Sequence, residues 1–328
     1  MRNIYVQLLD WMEQRQPLAL ATIIEASGST PQKAGASAIF SPRGLLGGTL
    51  GGGLLEADAE RKALRALKRK TSLVYEFGLQ EDISAEDGAI CGGKVKILID
   101  VSPRKYKKVF LDLKGSLSEG KPGILVTLIQ MGSPKKIVIS RTWLKKGQKS
   151  FSGDRKGSLL FFEAQFPLPK LVIAGAGHLG QAVAHLGNWL GFEVTVVDDR
   201  PEFANRKRLS EADLIIVDDI GQAIQSFSVD PNTYIVIVTR GHAKDAEALR
   251  ACIRSQAAYV GMIGSDRKVC LMREKFLKEG WATQDEFDRI YAPIGIPIHS
   301  KTVEEIAVSI AAQLVQVRQQ ANEKGVLK

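Results

Sequence analysis

The amino-acid sequence predicts an α/β protein with a C-terminal doubly wound parallel sheet and an N-terminal domain of mixed α+β type. Three observations predict this architecture. Strand and helix patterns alternate in the C-terminal half, glycines with GxGxxG spacing follow its first strand, and the N-terminal half shows strand patterns without such alternation. Pro167 and Pro169 interrupt the chain between the halves, so we expect domains at residues 1–165 and 166–328.

The composition is that of a soluble globular protein. The 328 residues are 45% hydrophobic and 25% charged, and the chain is long enough for two domains with separate cores. The longest apolar runs are shorter than a membrane span, and residues 1–16 mix charged and apolar residues as an amphipathic helix does. We therefore expect a cytoplasmic protein without a membrane partner.

Positive charge is concentrated in the middle of the chain. Residues 102–160 contain 14 Lys+Arg against 3 Asp+Glu, within a chain whose net charge is +9. Aromatic residues are not interleaved with these charges in a pattern that stacks bases, so a solvated lysine-rich surface is favoured over a nucleic-acid site. An acidic partner protein or a phosphorylated small ligand would also be attracted to this segment.

The N-terminal half begins with the amphipathic helix, followed by a strand at residues 18–26 and a turn cluster at 27–35. A second strand at 36–42 precedes a glycine cluster and a helix at 54–70. Further strands are expected at 73–77, 95–101, 123–130 and 136–140. Residues 143–158 have the Gly, Ser and Lys content of a loop or hairpin tip.

The glycine cluster lies in GGTLGGGLLEADAERKALRAL, residues 47–67, directly before a predicted helix. Free N–H groups at a helix start bind anions, and glycines let the backbone approach a ligand closely. Gly51, Gly52 and Gly53 are therefore candidates for contact with the phosphate of a cofactor. The alternative is a tight strand-to-helix junction without a ligand.

In the C-terminal half, the predicted strands are almost continuously apolar, which favours a parallel sheet buried on both faces. The last helix is expected over residues 303–317, and Thr302 and Glu305 at its start form a capping box. Its apolar face could either cover the sheet or pair with a second protomer in a homodimer. That face consists of Ile306, Ile310, Leu314 and Val317.

The C-terminal half opens with LVIAGAGHLG, in which Gly175, Gly177 and Gly180 have GxGxxG spacing. The first glycine permits a tight turn, the second lets the backbone approach a pyrophosphate, and the third allows close packing of helix on strand. Asp198 ends the next strand, where a carboxylate can hold ribose hydroxyls. The pattern predicts a Rossmann domain that binds NAD or another nucleotide. The alternative is a Rossmann domain with a vestigial nucleotide pocket.

Ligands of such sheets bind beyond the carboxyl ends of the strands, so the loops at 239–245 and 264–268 should face the same crevice as the glycine turn. These loops supply candidates for phosphate or substrate contact, and His178 joins them by its position inside the fingerprint. For Asp245, a role in complementing the helix dipole is an equally good interpretation. The candidates are His178, His242, Asp245, Arg267 and Lys268.

The three cysteines show no spacing typical of a zinc site or a disulfide framework, so we assign no metal. Cys252 and Cys270 lie at core-like positions of predicted helices and are expected to be small buried hydrophobes. Cys91 precedes two glycines and a lysine, where an exposed backbone and a nearby cation could lower the pKa of its thiol. A reactive thiol and a buried turn cysteine both fit this context.

Motifs in both halves resemble the XdhC/CoxI family of accessory proteins, which mature molybdenum-containing xanthine and carbon monoxide dehydrogenases. The first domain contributes ALATIIEASGSTPQKAG, GGTLGGGLLE and AICGGKV, and the second LVIAGAGHLG, VVDDRPEFAN, YVGMIGSDRK and APIGIPIHSKTVEEIAVSIAAQL. The basic middle segment has no clear counterpart. The chain differs from the family pattern at Leu54, where members often carry Cys, and at His299, where a small residue is usual.

The resemblance implies a factor that binds molybdenum cofactor, the molybdopterin complex, and assists its sulfuration and its insertion into a molybdenum hydroxylase of the xanthine dehydrogenase type. Its implied partners are the apo-hydroxylase and a cysteine desulfurase. Because Leu54 replaces the usual cysteine, Cys91 becomes the best-placed thiol for sulfur handling, with His242 as a second catalytic candidate.

This resemblance favours an accessory or chaperone protein over a turnover enzyme. Two alternatives remain: an NAD(P)-dependent oxidoreductase and a nucleotide-sensing scaffold without chemistry. Against the oxidoreductase, the sequence shows no Tyr-x-x-x-Lys pair and no set of zinc ligands.

Overall fold

A computed structural model describes residues 3–78, 93–132, 136–145 and 157–326. The chain divides into two compact units, Arg2–Pro167 and Leu168–Lys328. Each unit has its own hydrophobic core.

Within residues 3–78, 93–132, 136–145 and 157–167, the N-terminal unit forms two antiparallel sheets and three α-helices. Its elements are α1 (Ile4–Glu13), β1 (Ala19–Ser27), β2 (Ser37–Ser41), β3 (Gly44–Gly48), α2 (Gly53–Arg69), β4 (Leu73–Gly78), β5 (Lys94–Asp100), α3 (Lys107–Ser118), β6 (Gly123–Gly132), β7 (Lys136–Lys145) and β8 (Ser158–Gln165). A five-stranded sheet has the order β3-β2-β1-β5-β4, and a three-stranded sheet has the order β7-β6-β8. The predicted mixed α+β character of this unit is confirmed.

Helix α2 packs on the five-stranded sheet through a narrow face of small residues. Leu55, Ala59, Ala63 and Ala66 recur at helical spacing and are buried, whereas Arg61 and Arg65 between them are exposed. Alanine side chains let the helix lie close to the strands, so this pattern explains both the helix and its placement. Helix α1 packs differently, since the ring of Tyr5 stacks on Phe110 of α3 with centroids 5.2 Å apart.

Two elements of the N-terminal unit were not predicted from the sequence. Helix α3 lies in the basic segment and buries Phe110 and Leu113. Strand β8 pairs with β6 and begins at Ser158, where a loop was expected, and β7 extends to Lys145. Helix α3 surrounds its two buried apolar side chains with lysines, and in β8 the apolar residues form a run that does not alternate with polar ones, so neither stretch shows the usual amphipathic pattern.

The C-terminal unit is a parallel sheet flanked by helices. Its elements are β9 (Lys170–Ala174), α4 (His178–Trp189), β10 (Glu193–Asp198), β11 (Leu214–Val217), α5 (Ile220–Ser226), β12 (Thr233–Ile237), α6 (His242–Cys252), β13 (Tyr259–Met262), α7 (Asp266–Lys278), α8 (Gln284–Asp288) and α9 (Val303–Val326). The sheet has the order β11-β10-β9-β12-β13. This is the 3-2-1-4-5 order of a Rossmann fold, so the predicted fold class is confirmed.

Strands of this sheet are buried on both faces, as their continuous apolar character predicts. All five residues of β12 are buried, and alternate residues join the hydrophobic clusters on the two sides of the sheet. One cluster includes Ala307, Ile310 and Leu314, so the apolar face of α9 covers the sheet. Within the described parts of the chain, no helix combines the length and apolar character needed to cross a membrane.

Candidate functional site

The glycine turn follows β9 at the carboxyl ends of β9 and β12, where the strand order reverses. Gly175 has φ of +114°, and a Cβ there would lie 2.5 Å from the carbonyl oxygen of Val238. A Cβ at Gly180 would lie 1.9 Å from the carbonyl oxygen of Gly175. Both glycines are therefore required by the packing of the turn itself, one against the neighbouring strand end and one beneath the helix.

Gly177 has a different environment. It is the N-cap of α4, its φ is −65°, and no described atom beyond its chain neighbours lies within 4 Å of the position that a Cβ would take. No side chain among the described residues caps this helix start. The protein itself does not require a glycine here, which fits a backbone that a ligand approaches.

Asp198 ends β10 beside this turn, and its carboxylate is saturated by protein donors. Oδ2 accepts hydrogen bonds from the amide of Ala176 at 2.7 Å and from Nη2 of Arg200 at 2.9 Å. Oδ1 accepts from the Arg200 amide at 3.0 Å and from its Nε at 2.8 Å. Burial alone would raise the pKa of Asp198, but the bonds from Arg200 and Ala176 hold it below its ordinary value. The carboxylate is therefore ionised and fully hydrogen-bonded.

A second buried carboxylate, that of Asp245, contacts residues of the loops after both β12 and β13. Asp245 has no exposed surface, and its Oδ1 accepts hydrogen bonds from the amide and the hydroxyl of Thr239, at 3.2 and 2.7 Å. Its Oδ2 contacts the ammonium group of Lys268, which also donates to the carbonyl of Ile263 at 3.1 Å. Asp245 thus positions a predicted phosphate-contact residue, in addition to lying in the first turn of α6.

Three other candidate residues are exposed. His242 begins α6, and Arg267 lies in the first turn of α7. His178 lines a cleft of about 370 Å³ that runs along α4, together with Gln181 and His185 of the same helix. These three residues recur at helical spacing and so lie on one face of α4. His178 therefore contributes to this cleft as well as to the start of the helix.

In the N-terminal unit, the glycine cluster forms a sharp entry into α2. Gly51, Gly52 and Gly53 all have positive φ, and the Cβ positions of the last two meet no described atom within 4 Å. Glu56 stabilises the turn before the helix, because its Oε2 accepts hydrogen bonds from the hydroxyl of Thr49 and the amide of Leu50. Space is therefore open at the start of α2, and hydrogen bonds to Glu56 hold the turn that precedes it.

Cys252 and Cys270 differ in solvent exposure. Cys252 is buried as expected, and burial raises the pKa of its thiol to about 12, so it is inert. The expectation that Cys270 is buried is wrong: this side chain is exposed on α7, where its sulfur lies 3.7 Å from Oε1 of Glu274. Cys91 lies outside the described residues.

Sequence reasoning missed a buried ionic cluster in the N-terminal unit. Asp100 at the end of β5 pairs with Arg141 of β7, and both side chains are almost inaccessible. Nearby, Glu163 of β8 accepts a hydrogen bond of 2.6 Å from the hydroxyl of Tyr5. Burial raises the pKa of Glu163 to about 7, although Tyr5 and Arg141 both act to lower it. Charged residues in strands at 41 residues' separation leave no local pattern that would reveal such a pair.

The strand order and the glycine turn define the class: a protein with a C-terminal Rossmann domain. A model of the XdhC Rossmann domain matches residues 171–314, and a model of the XdhC and CoxI family matches residues 11–78. Together the two matches cover more than half of the chain and include both units. The chain belongs to the XdhC/CoxI family.

Relatives with full-length similarity agree with this assignment. A probable xanthine dehydrogenase subunit of Bacillus subtilis (strain 168) is 27% identical over 97% of this chain and 98% of its own. The molybdenum cofactor insertion chaperone PaoD of Escherichia coli (strain K12) is 24% identical over 91% of this chain and 83% of its own. The crystal structure of a xanthine dehydrogenase from Bacillus halodurans has a TM-score of 0.80 at 24% identity over 96% of both chains, which supports the fold.

Proposed function

We propose that this chain is a maturation factor that binds molybdenum cofactor as cargo and delivers it to an apo molybdenum hydroxylase of the xanthine dehydrogenase type. The observation that carries the proposal is the similarity to a molybdenum cofactor insertion chaperone over 91% of this chain. A Rossmann fold alone would not indicate a function, because the fold hosts many. Here the similarity extends through the N-terminal unit, which is not a Rossmann domain.

The Rossmann unit is suited to the phosphate end of such a cargo. A phosphate needs N–H donors and unobstructed backbone, and the start of α4 at Gly177 offers both. Lys268, held by Asp245 at the neighbouring strand end, supplies a cation on the same edge of the sheet. These residues would bind and orient the cargo.

The N-terminal unit offers a second candidate position for an anionic group. Gly52 and Gly53 expose the start of α2, and the Glu56 hydrogen bonds keep the preceding turn rigid. A helix start of this kind suits an anionic group, so we assign these glycines, with Gly51, to cargo binding. The helix start is otherwise lined by Leu54, whose side chain is exposed.

We extend the proposal to sulfuration, with a cysteine desulfurase as the sulfur donor. A thiol that accepts and passes on sulfur must be reachable as a thiolate, which excludes Cys252. Cys91 is our candidate, and the exposed Cys270 is the matched control. Replacing Cys91 with Ala should lower activation of the client hydroxylase while cargo retention persists. An equal loss in Cys270→Ala would contradict the assignment to Cys91.

The decisive experiment measures cargo retention. The full chain is incubated with molybdenum cofactor released from a molybdoenzyme, passed through a desalting column, and assayed for molybdenum and for pterin fluorescence after oxidation. We expect stoichiometric retention by the wild type and loss in Gly177→Val, whose side chain would fill the open space at the start of α4. Gly115→Val is the control, because Gly115 also faces open space, in α3.

Parallel samples with NADH and NADP⁺ test the alternatives. Retention of a nicotinamide dinucleotide without retention of molybdenum cofactor would overturn the proposal in favour of an oxidoreductase or a nucleotide-sensing scaffold. Transfer is then measured by mixing the loaded chain with apo-hydroxylase and following the appearance of hydroxylase activity. Retention without transfer would contradict the delivery step.

A further inference from the structure

Asp198 lies at the strand end where a Rossmann domain uses a carboxylate to hold the two hydroxyls of a ribose. In this protein the carboxylate is not free for that task. It accepts four hydrogen bonds, one from the amide of Ala176 and three from Arg200, and only 1% of the side chain is exposed. A ribose diol could reach it only after the guanidinium group had left.

Arg200 is itself held firmly in place. Its carbonyl accepts hydrogen bonds from the amides of Phe203 and Ala204, at 3.0 and 2.9 Å, which closes a tight turn after β10. Its guanidinium group lies 4.0 Å from the centroid of the Phe203 ring, and 18% of the side chain is exposed. The backbone turn, the aromatic ring and the bidentate contact with Asp198 all specify the same conformation.

We propose that Arg200 is a specificity-determining residue that excludes ribose-bearing nucleotides from the Rossmann unit. A ribose diol offers two neutral donors, whereas Arg200 offers charge-assisted, bidentate donors to the same buried oxygens, and charge-assisted bonds are the stronger ones. Displacing Arg200 would also break its contact with Phe203. The crevice therefore selects ligands that it recognises through their phosphate at the glycine turn.

This inference deepens the proposed function and rests on it for the identity of the cargo. A molybdenum cofactor that ends in a single phosphate meets the start of α4 without disturbing Arg200. A cofactor extended by a nucleotide carries a ribose diol and competes with Arg200 for Asp198. The Rossmann unit is accordingly selective for the cofactor form without a nucleotide.

The test uses ADP-ribose as the probe, because it joins a pyrophosphate to a ribose diol. Binding to the full chain is measured by calorimetry for the wild type, Arg200→Ala, Arg200→Gln and the double variant Asp198→Asn/Arg200→Ala. Arg208→Ala is the matched control. The Arg208 guanidinium group also lies over the Phe203 ring, 5.0 Å from its centroid, but it makes none of the four hydrogen bonds to Asp198.

We expect weak binding by the wild type and by Arg208→Ala. Both single Arg200 variants should bind ADP-ribose at least about tenfold more tightly, the smallest gain expected from hydrogen bonds to a charged group. The double variant should lose this gain, because the diol acceptor is no longer charged.

Three results would overturn the inference: tight binding by the wild type, the same gain in Arg208→Ala, or no gain in either Arg200 variant. If an Arg200 variant does not fold, the other variant and the wild-type measurement still decide. Retention of molybdenum cofactor is assayed separately with Gly177→Val, so failure here is distinguishable from failure of the proposed function.

Discussion

The carboxylate of Asp100 and the guanidinium group of Arg141 form a buried ion pair that joins the two sheets of the N-terminal unit. The side chains are 1% and 2% exposed, respectively. Asp100 ends β5 of the five-stranded sheet, and Arg141 lies in β7 of the three-stranded sheet. Arg141 also lies over the rings of Tyr106 and Phe110, at 5.1 and 5.8 Å from the centroids. Removing either partner would leave a charge in the core.

Replacing Asp100 with Ala should therefore be strongly destabilising. Loss of one partner from a buried pair costs about 3–5 kcal/mol, because the remaining charge is uncompensated. Urea unfolding of Asp100→Ala should show this loss in the free energy of unfolding. Asp112→Ala, on the exposed side of α3, is the control and should change stability by less than about 0.5 kcal/mol. Equal stability of the two variants would contradict the structural role of the pair.

Glu163 should make stability depend on pH. Its folded pKa of about 7 lies above the ordinary value of 4.5, so the folded protein holds this proton more tightly than the unfolded chain does. The contribution is fully present below about pH 4.5 and is lost as the pH rises through about 7, with a magnitude of about 3 kcal/mol.

The variant Glu163→Gln tests this dependence, because an amide oxygen can still accept the hydrogen bond from Tyr5 and cannot ionise. Between pH 5 and pH 8 the wild type should lose stability relative to Glu163→Gln. Glu119→Gln, at an exposed position, should follow the wild-type profile. Parallel profiles for the wild type and Glu163→Gln would show that Glu163 is already ionised at pH 5.

Two of the fingerprint glycines, Gly180 and Gly177, should respond differently to alanine. At Gly180 a Cβ would lie 1.9 Å from a carbonyl oxygen, so Gly180→Ala must displace helix from strand, at a cost of about 3 kcal/mol or more. At Gly177 the space is open and φ is −65°, so Gly177→Ala should cost less than about 1 kcal/mol. Thermal unfolding measures both, and a large loss in Gly177→Ala would show that this glycine has a structural role.

Thiol reactivity should follow exposure. In a Cys91→Ala background, a colorimetric disulfide reagent should modify Cys270 rapidly in the native protein and Cys252 only after unfolding, because the Cys252 thiol has a pKa of about 12 and is buried. Cys270→Ser in the same background should abolish the fast phase. Rapid modification of two thiols in the native state would contradict the buried position of Cys252.

The Rossmann unit could be predicted from the sequence because its determinants are local. Apolar strands, the glycine spacing and the alternation of strand and helix are each visible within short windows. The N-terminal unit was harder, since the buried apolar residues of α3 are only Phe110 and Leu113, and the one buried side chain of β8 is Glu163. Their identity depends on which side chains the rest of the unit covers, and this information is not local.

In the candidate site, too, local features could be predicted from the sequence and contacts between distant residues could not. The positions of Gly175, Gly177 and Gly180 could be predicted because each glycine acts through its own backbone. The ion pair of Asp245 with Lys268 spans 23 residues, and only the parallel sheet brings the two loops together. Asp198 and Arg200 are only two residues apart in the sequence. Their bidentate contact nevertheless depends on a side-chain conformation of Arg200 that the turn at Phe203 stabilises, and the sequence does not reveal that conformation.

The far end of the Rossmann sheet shows how this unit avoids uncontrolled self-association. An exposed strand edge is a template for pairing with another chain. The outer edge of β13 is covered, because the Tyr291 amide donates to the carbonyl of Val260, the Met262 amide donates to the carbonyl of Tyr291, and the Ile294 amide donates to the carbonyl of Met262. At the opposite edge, β11 is only four residues long. Both margins are therefore poor sites for intermolecular strand addition, which protects the unit against aggregation.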